Sequence, residues 1–234
     1  MVSLSQSSGG HLLQLTIEQF KLIGERGQQE FISTNFPTNS RSAGHRKLVV
    51  GVGHNDSKYA VAPLIDGGRA RCPAYKNWFS MLDRCYSGKQ STYDDVNVSV
   101  EWKDFSAFLL WWKDNKKDGY HLDKDLLTDS RIYSAETCVF VPPWLNAFTL
   151  DSNSTRGEFL IGASYNKHRS KYISYCSNPM TKRMEYLGYF NTQYEAHICW
   201  KKKKLEHTRA LRSKMDEIDI RIYPRVVEII ERAR

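Results

Sequence analysis

The stretch from Gly119 to Asn146, GYHLDKDLLTDSRIYSAETCVFVPPWLN, decides the reading of this chain. It places two aspartates around a lysine in Leu122-Asp123-Lys124-Asp125 and follows them with Tyr133-Ser134. It then runs through the apolar Cys138-Val139-Phe140-Val141 and reaches Asn146 at the start of an expected helix. The layout is a strand, a loop, a second strand and a helix, with oxygen donors placed for a small divalent-metal site. The plainer alternative makes Asp123 and Asp125 strand-end caps and Asn146 a helix cap.

Upstream, the pattern is helical from Pro73. Tyr75, Trp78, Phe79, Leu82 and Tyr86 recur at spacings of three and four, which predicts a core stripe with Lys76, Asp83 and Arg84 outward. Ser87 to Gln90 breaks it, Val96 to Val100 alternates as a strand does, and Trp102 to Trp112 predicts a second apolar helix. The helical spacing of these aromatics favours core packing over a base-stacking platform. Earlier still, Leu12 to Ile23 predicts an amphipathic helix ended by Gly24 and Gly27, with a loop through Ser33-Thr34-Asn35 and Pro37 to Ser40. Lys47 to Val52 and Tyr59 to Leu64 read as short strands joined at His54-Asn55-Asp56, and Asp66-Gly67-Gly68 turns into the basic Arg69 to Cys72. His54 and Asp56 read as turn residues rather than metal ligands.

Downstream, Thr149 to Arg156 is rich in Ser, Thr and Asn and marks a boundary. Phe159 to Ser164, Tyr172 to Cys176 and Met184 to Phe190 read as three short strands, with polar turns at Asn166 to Ser170 and Ser177 to Arg183. Thr192 and Glu195 form a capping box for a helix. On that helix Tyr194, Ile198 and Leu205 are expected against the sheet and Lys201 to Lys204 in solvent. Pro224 is expected to stop a longer helix, and Val226 to Ile230 to begin a last amphipathic turn or two.

The chain has 234 residues, 41% hydrophobic and 12% aromatic, enough for packed cores and against disorder throughout. Lys and Arg outnumber Asp and Glu by 34 to 26, a formal +8 that favours polyanionic partners through counterion release. The N-terminal MVSLSQSSGGHLLQL lacks a signal-peptide pattern, and no window has eighteen uninterrupted apolar residues. Five scattered cysteines (Cys72, Cys85, Cys138, Cys176, Cys199) include no CxxC pair, which points to buried thiols in a reduced cytoplasmic protein rather than a zinc ribbon.

Two resemblances follow from these residues. The segment RGEFLIGASYNKHRSKYISY followed by LGYFNTQYEAHICW, over residues 156 to 206, resembles the APETALA-like (ethylene-response-factor-type) DNA-binding domain. That resemblance implies a three-stranded antiparallel sheet on one helix, lying in the major groove of double-stranded DNA. Arg156, Lys167, His168, Arg169, Lys171, Lys182 and Arg183 would read bases and bind phosphate. Without that context, the same charges would read as a solvated face.

Residues 73 to 150 resemble the HNH nuclease motif in its phage-type homing branch. The landmarks are Tyr75-x-x-Trp78-x-x-Met81-Leu82-x-Arg84-Cys85-Tyr86 and Trp102-x-x-Phe105-x-x-Phe108, then Leu122-Asp123-Lys124-Asp125, Tyr133 to Cys138, and Asn146. The resemblance implies a small ββα-metal unit holding one Mg2+ or Mn2+ on Asp123 and Asn146. Lys124 stands where that family has its histidine base, and Thr137 where an asparagine orients it. An ordinary lysine titrates near ~10.4 and is a cation at neutral pH, so Lys124 is a catalytic candidate either as a base whose pKa burial lowers or as a cation that holds the phosphate while metal-bound water loses its proton to solvent. His121, two residues before Asp123 on the same strand face, is a substitute base.

The expected fold class is therefore α+β. Residues 1–70 form an N-terminal region, 71–150 a nuclease unit with flanking helices, 156–210 the DNA-binding sheet and helix, and 211–234 a helical tail. The expected activity is metal-dependent nicking or double-strand cleavage of DNA, by a monomer or dimer with no membrane and no obligatory protein partner, in the cytoplasm of a host cell if phage-encoded. A catalytically degenerate DNA-binding scaffold is the alternative. RNA binding fits less well, because a sheet shaped for the B-form major groove cannot enter the narrow A-form one.

Overall fold

Helices and short strands alternate along the chain. The computed structural model describes residues 15–39, 44–149 and 158–234. The expected boundary at Thr149 to Arg156, the start of the helix from Leu12, and Arg156 itself lie largely or wholly outside the described residues. The chain is mixed α+β and forms two units, 1–118 and 119–234.

In the first unit, Thr16 and Gln19 close a capping box on α1 (Ile17–Leu22). Helix α1 ends directly before Gly24 as expected, but Gly24 also opens α2 (Glu25–Asn35), which runs through Gly27 and absorbs the Ser33-Thr34-Asn35 expected as loop. Lys47 to Val52 and Tyr59 to Pro63 are not strands; of the second run only Leu64 enters one. They are turns and bends with single bridges, Val49 to Gly53 and Pro37 to Tyr59. The Arg46 guanidinium organises this region, donating to the carbonyls of Asn55 (2.9 Å), Ser57 (2.7 Å) and Tyr59 (3.2 Å). One arginine thus satisfies backbone acceptors that a sheet would otherwise have paired. A minimal hairpin follows, β1 (Leu64–Ile65) with β2 (Gly68–Arg69).

Helix α3 (Pro73–Tyr86) buries Ala74, Trp78, Met81 and Leu82, whereas Phe79, expected in the core stripe, stays 40% exposed. After the two-residue β3 (Asn97–Val98), α4 (Phe105–Asn115) buries Phe105, Phe108 and Trp112. The aromatics make the core. Trp78 and Phe105 rings lie 5.4 Å apart, and the Trp78 indole donates to the Trp102 carbonyl at 2.7 Å. Buried indole N–H groups need such partners. Asp56 accepts the Ser106 N–H at 2.8 Å in the first turn of α4, so this turn residue acts as a remote helix cap.

The second unit begins with β4 (His121–Asp123) and includes β5 (Ile132–Tyr133), β6 (Val139–Val141) and α5 (Pro143–Thr149). Strand β4 pairs antiparallel with β6, His121 opposite Val141 and Asp123 opposite Val139. Then come β7 (Ala163–Asn166), β8 (Lys171–Asn178) and β9 (Arg183–Phe190), an antiparallel sheet in the order β7-β8-β9. The first of these strands begins four residues later than expected, after a turn at 159–162. The sheet packs on α6 (Gln193–Ala210), whose Thr192–Glu195 capping box is present.

The face of α6 that meets the sheet is not the expected one. Ala196, His197, Trp200, His207 and Thr208 are buried, while Tyr194 is 63% and Ile198 42% exposed. Two histidines and a threonine serve as interior residues here because each finds a polar partner. His197 Nδ1 meets the Ile161 carbonyl at 2.8 Å, His207 Nε2 meets Glu185 at 3.1 Å, and Thr208 donates to the Lys204 carbonyl at 2.8 Å. Lys204 is not solvated either: its ammonium lies 3.7 Å from the centre of the Phe148 ring.

The chain closes with α7 (Arg212–Asp216) and α8 (Ile222–Arg232). Pro224 does not stop the longer upstream helix, which already ends at Ala210, but falls within α8. It sits in the first turn, where its missing N–H leaves no bond unmade. Residues 211–234 are no loose tail, because Met215, Ile222, Val226 and Ile230 share one core with Leu126, Val139, Val141, Leu145 and Phe148 of the hairpin and α5.

Candidate functional site

The hairpin ends β4 on an aspartate at the point where the chain must turn. Asp123 Oδ1 accepts the N–H groups of Asp125 (2.9 Å) and Leu126 (2.8 Å), capping the strand end. Its Oδ2 has no hydrogen-bond partner among the described residues. Burial pushes the Asp123 carboxyl above the usual aspartate range, against the pull of those two N–H groups. A divalent cation at Oδ2 would offset that burial cost.

Asn146 sits mid-way along α5, half-buried, and its side chain makes no hydrogen bond among the described residues. It is therefore not the N-terminal cap of its helix. Asp123 and Asn146 line one cavity of about 360 Å³ together with Asp125, Leu126, Thr149 and Ile229. The donors are two carboxylates and an amide, hard oxygen ligands that suit Mg2+ or Mn2+ and not a thiolate-seeking ion. Among the described residues no three His, Cys, Asp or Glu side chains gather into a metal cluster. The donor set is thin, as it is for magnesium sites completed by water and substrate phosphate.

His121 and Lys124 lie outside the cavity lining. His121 is exposed at the start of β4 and shares a strand face with Asp123 by the two-residue period. Lys124 turns inward. It is 4% exposed, ion-paired with Asp125, and its ammonium stands 5.8 Å from the centre of the Tyr133 ring. Thr137 is spent on the turn after β5: its hydroxyl donates to the Ile132 carbonyl at 2.6 Å and accepts the Ser134 N–H at 3.0 Å. Neither residue occupies a base-and-orienter geometry. Cys138 beside them is a buried thiol pushed up to about 12 by burial, and inert as a nucleophile at neutral pH.

One participant was missed by sequence reasoning. Ile229 of α8 lines the cavity, and α8 is anchored across the hairpin by Arg225 and Arg232 on Asp129 and by the Arg221 guanidinium on the Glu136 carbonyl at 3.0 Å. The strong apolar/polar division of residues 222–232 signals a helix that needs a partner. It does not say which one.

The basic residues expected on the sheet divide by position. Lys167, His168 and Arg169 lie in the β7–β8 turn, Lys171 opens β8, and Lys182 and Arg183 lie at the β8–β9 turn; all are exposed. Arg169 stacks its guanidinium on Tyr189 at 4.8 Å. These charges flank the sheet at its two ends rather than lining its middle. Comparison with family models, with curated proteins and with solved structures gives no match to this chain. Among the described residues, no helix is long and apolar enough to cross a membrane.

Proposed function

We propose that this chain is a metal-dependent DNA endonuclease of the HNH homing type, whose basic sheet brings DNA to the hairpin. The observation that carries the reading is that Asp123 and Asn146, each with a side-chain oxygen lacking a hydrogen-bond partner among the described residues, line one cavity at the end of an antiparallel strand pair and its helix. The exposed basic turns supply the affinity for phosphate.

In this reading Asp123 and Asn146 would hold one Mg2+ or Mn2+ ion, which would supply Lewis acidity at a scissile phosphate. His121, exposed on the Asp123 face of β4, would take the proton of the attacking water as its oxygen bonds to phosphorus, while the P–O bond to the leaving sugar oxygen breaks and that oxygen takes a proton from solvent. Lys124 is a positioning residue: its ion pair fixes Asp125 and the turn that presents Asp123. Leu126 and Ile229 supply an apolar wall that limits water around the carboxylate. Manganese titration of the purified protein, together with sequencing of the ends produced from a mixed DNA library in magnesium, tests the proposal. Specific Mn2+ binding lost in Asp123→Asn, with defined ends in the wild type, supports it; DNA binding without any cut overturns the enzymatic reading.

A second reading has its own observation. Lys124 is buried and paired where the resembling family has a histidine base, as expected of a hairpin that keeps its fold and has lost its chemistry. Absence of Mn2+ binding near Asp123 would select this scaffold.

A further inference from the structure

The sheet has one face on α6 and one face open. Toward α6 lie Ser174, Cys176 and Asn178, all buried. The opposite face carries Ile173 and Tyr175 of β8, and its partners on β9 are set by an irregularity. Ser174 pairs with Gly188, but Tyr175 pairs with Tyr186, so β9 holds one extra residue, Leu187, between two register positions. Gly188, at φ +128°, takes the backbone turn of this bulge.

The extra residue changes the parity of the strand. Tyr186 and Tyr189 are three apart, and on a regular strand they would face opposite sides. Across the bulge both face outward, Tyr186 opposite Tyr175 and Tyr189 opposite Ile173. The rings form a continuous path, Tyr175 to Tyr186 at 5.6 Å and Tyr186 to Tyr189 at 5.8 Å, extended by the Arg169 guanidinium over Tyr189 at 4.8 Å. Tyr175 is 40% and Tyr186 55% exposed.

Bases in a duplex offer edges in the groove, read by bidentate Arg, Lys, Asn or Gln. The open face presents rings, a hydroxyl at Ser177 and a thioether at Met184, with the cations at its two ends. Faces of unpaired bases stack on such rings with little regard to sequence, while flanking cations track the phosphates. We propose that this face binds single-stranded nucleic acid, with successive unpaired bases stacked on Tyr175, Tyr186 and Tyr189 between Lys182–Arg183 and Lys167–Lys171. This rests on the reading of the sheet as the nucleic-acid-binding surface and replaces groove reading by base stacking.

Fluorescence anisotropy of the full chain in EDTA, with labelled single-stranded DNA, single-stranded RNA and duplex DNA of one mixed sequence, tests it independently of any cleavage. The expected result is at least about tenfold tighter binding of a single strand than of duplex. Tyr175→Ala and Tyr186→Ala should each weaken it about tenfold, and Tyr175→Phe and Tyr186→Phe should retain it, because the ring and not the hydroxyl stacks. The DNA and RNA arms identify which strand is preferred, and either preference supports stacking. Far-UV circular dichroism checks that the exposed variants stay folded. Duplex bound as tightly as single strands, or alanine variants with unchanged affinity, overturns stacking while leaving the sheet a DNA-binding surface. Binding of none of the three overturns both.

Discussion

The hairpin cavity and the open face of the sheet belong to the same unit but are built in opposite ways. At the cavity, polar groups are drawn inward: Asp123 is half-buried and capped by two N–H groups, Lys124 is almost wholly covered, and Ile229 arrives from the far end of the chain to form a wall. On the sheet, large rings are pushed outward by a one-residue bulge and left uncovered. A site that must fix an ion needs rigid, desolvated donors supported from several elements. A surface that stacks bases needs only exposed rings at a regular spacing. The difference teaches that the two surfaces answer to different substitutions, core and donor changes for one, ring and bulge changes for the other.

The largest expected effect comes from the support of the cavity. Leu145→Ala and Ile222→Ala each remove a fully buried side chain from the shared core and should cost about 2–5 kcal/mol in urea unfolding. If Ile222→Ala instead costs under about 0.5 kcal/mol, as a surface change does, α8 is no part of the hairpin's foundation.

The next effect is chemical. Asp123→Asn keeps an oxygen to cap Asp125 and Leu126 but removes the anion, so Mn2+ affinity and cleavage should fall by on the order of 10²–10³-fold with the melting temperature unchanged or raised. The sign follows from the pKa. Burial raises the folded Asp123 carboxyl above its unfolded value, so the ionised form is disfavoured and stability is lost as pH rises between the two. Wild type should show that loss, and Asp123→Asn should not; differential scanning calorimetry from pH 3 to 7 compares them.

These two regions were also unequally legible in sequence. The capping box at Thr192 and the strand-and-helix succession from His121 to Asn146 are local signals, because a cap or a two-residue alternation is set by neighbours in the chain. The buried face of α6 was not legible: beside Ala196 and Trp200 it holds His197 and His207, which hydropathy places outside and only their distant partners Ile161 and Glu185 allow inside. Likewise Arg46 replaces sheet pairing with side-chain donation, so apolar runs that read as strands become turns. Asp123 and Asn146 were singled out by resemblance, and what the structure adds is that both line one cavity. Ile229 and the inward turn of Lys124 depend on packing across the unit and leave no local mark.

Gly188→Ala sharpens the other side of the comparison. At φ +128° an alanine is strained by about 1–3 kcal/mol, so the bulge should regularise and turn Tyr186 away from Tyr189. Single-strand affinity should drop while Mn2+ affinity at the cavity holds; equal loss of both would show the two surfaces to be one.

The smallest effect concerns Lys204. Burial lowers its amine to about 8, well below the unfolded lysine near ~10.4. Between those values the unfolded chain binds more protons than the folded one, so this residue makes stability rise with pH across roughly pH 8 to 10. Lys204→Met should flatten that rise in urea melts; an unchanged slope would place the ammonium in solvent.

The most direct test of the central claim is strand-resolved gel analysis of labelled DNA carrying a single-stranded gap beside duplex, incubated with magnesium. Wild type should cut it at defined positions, and Asp123→Asn should bind it equally well and leave it intact. No cut by the wild type in magnesium or manganese, or the same cut by Asp123→Asn, would contradict the account.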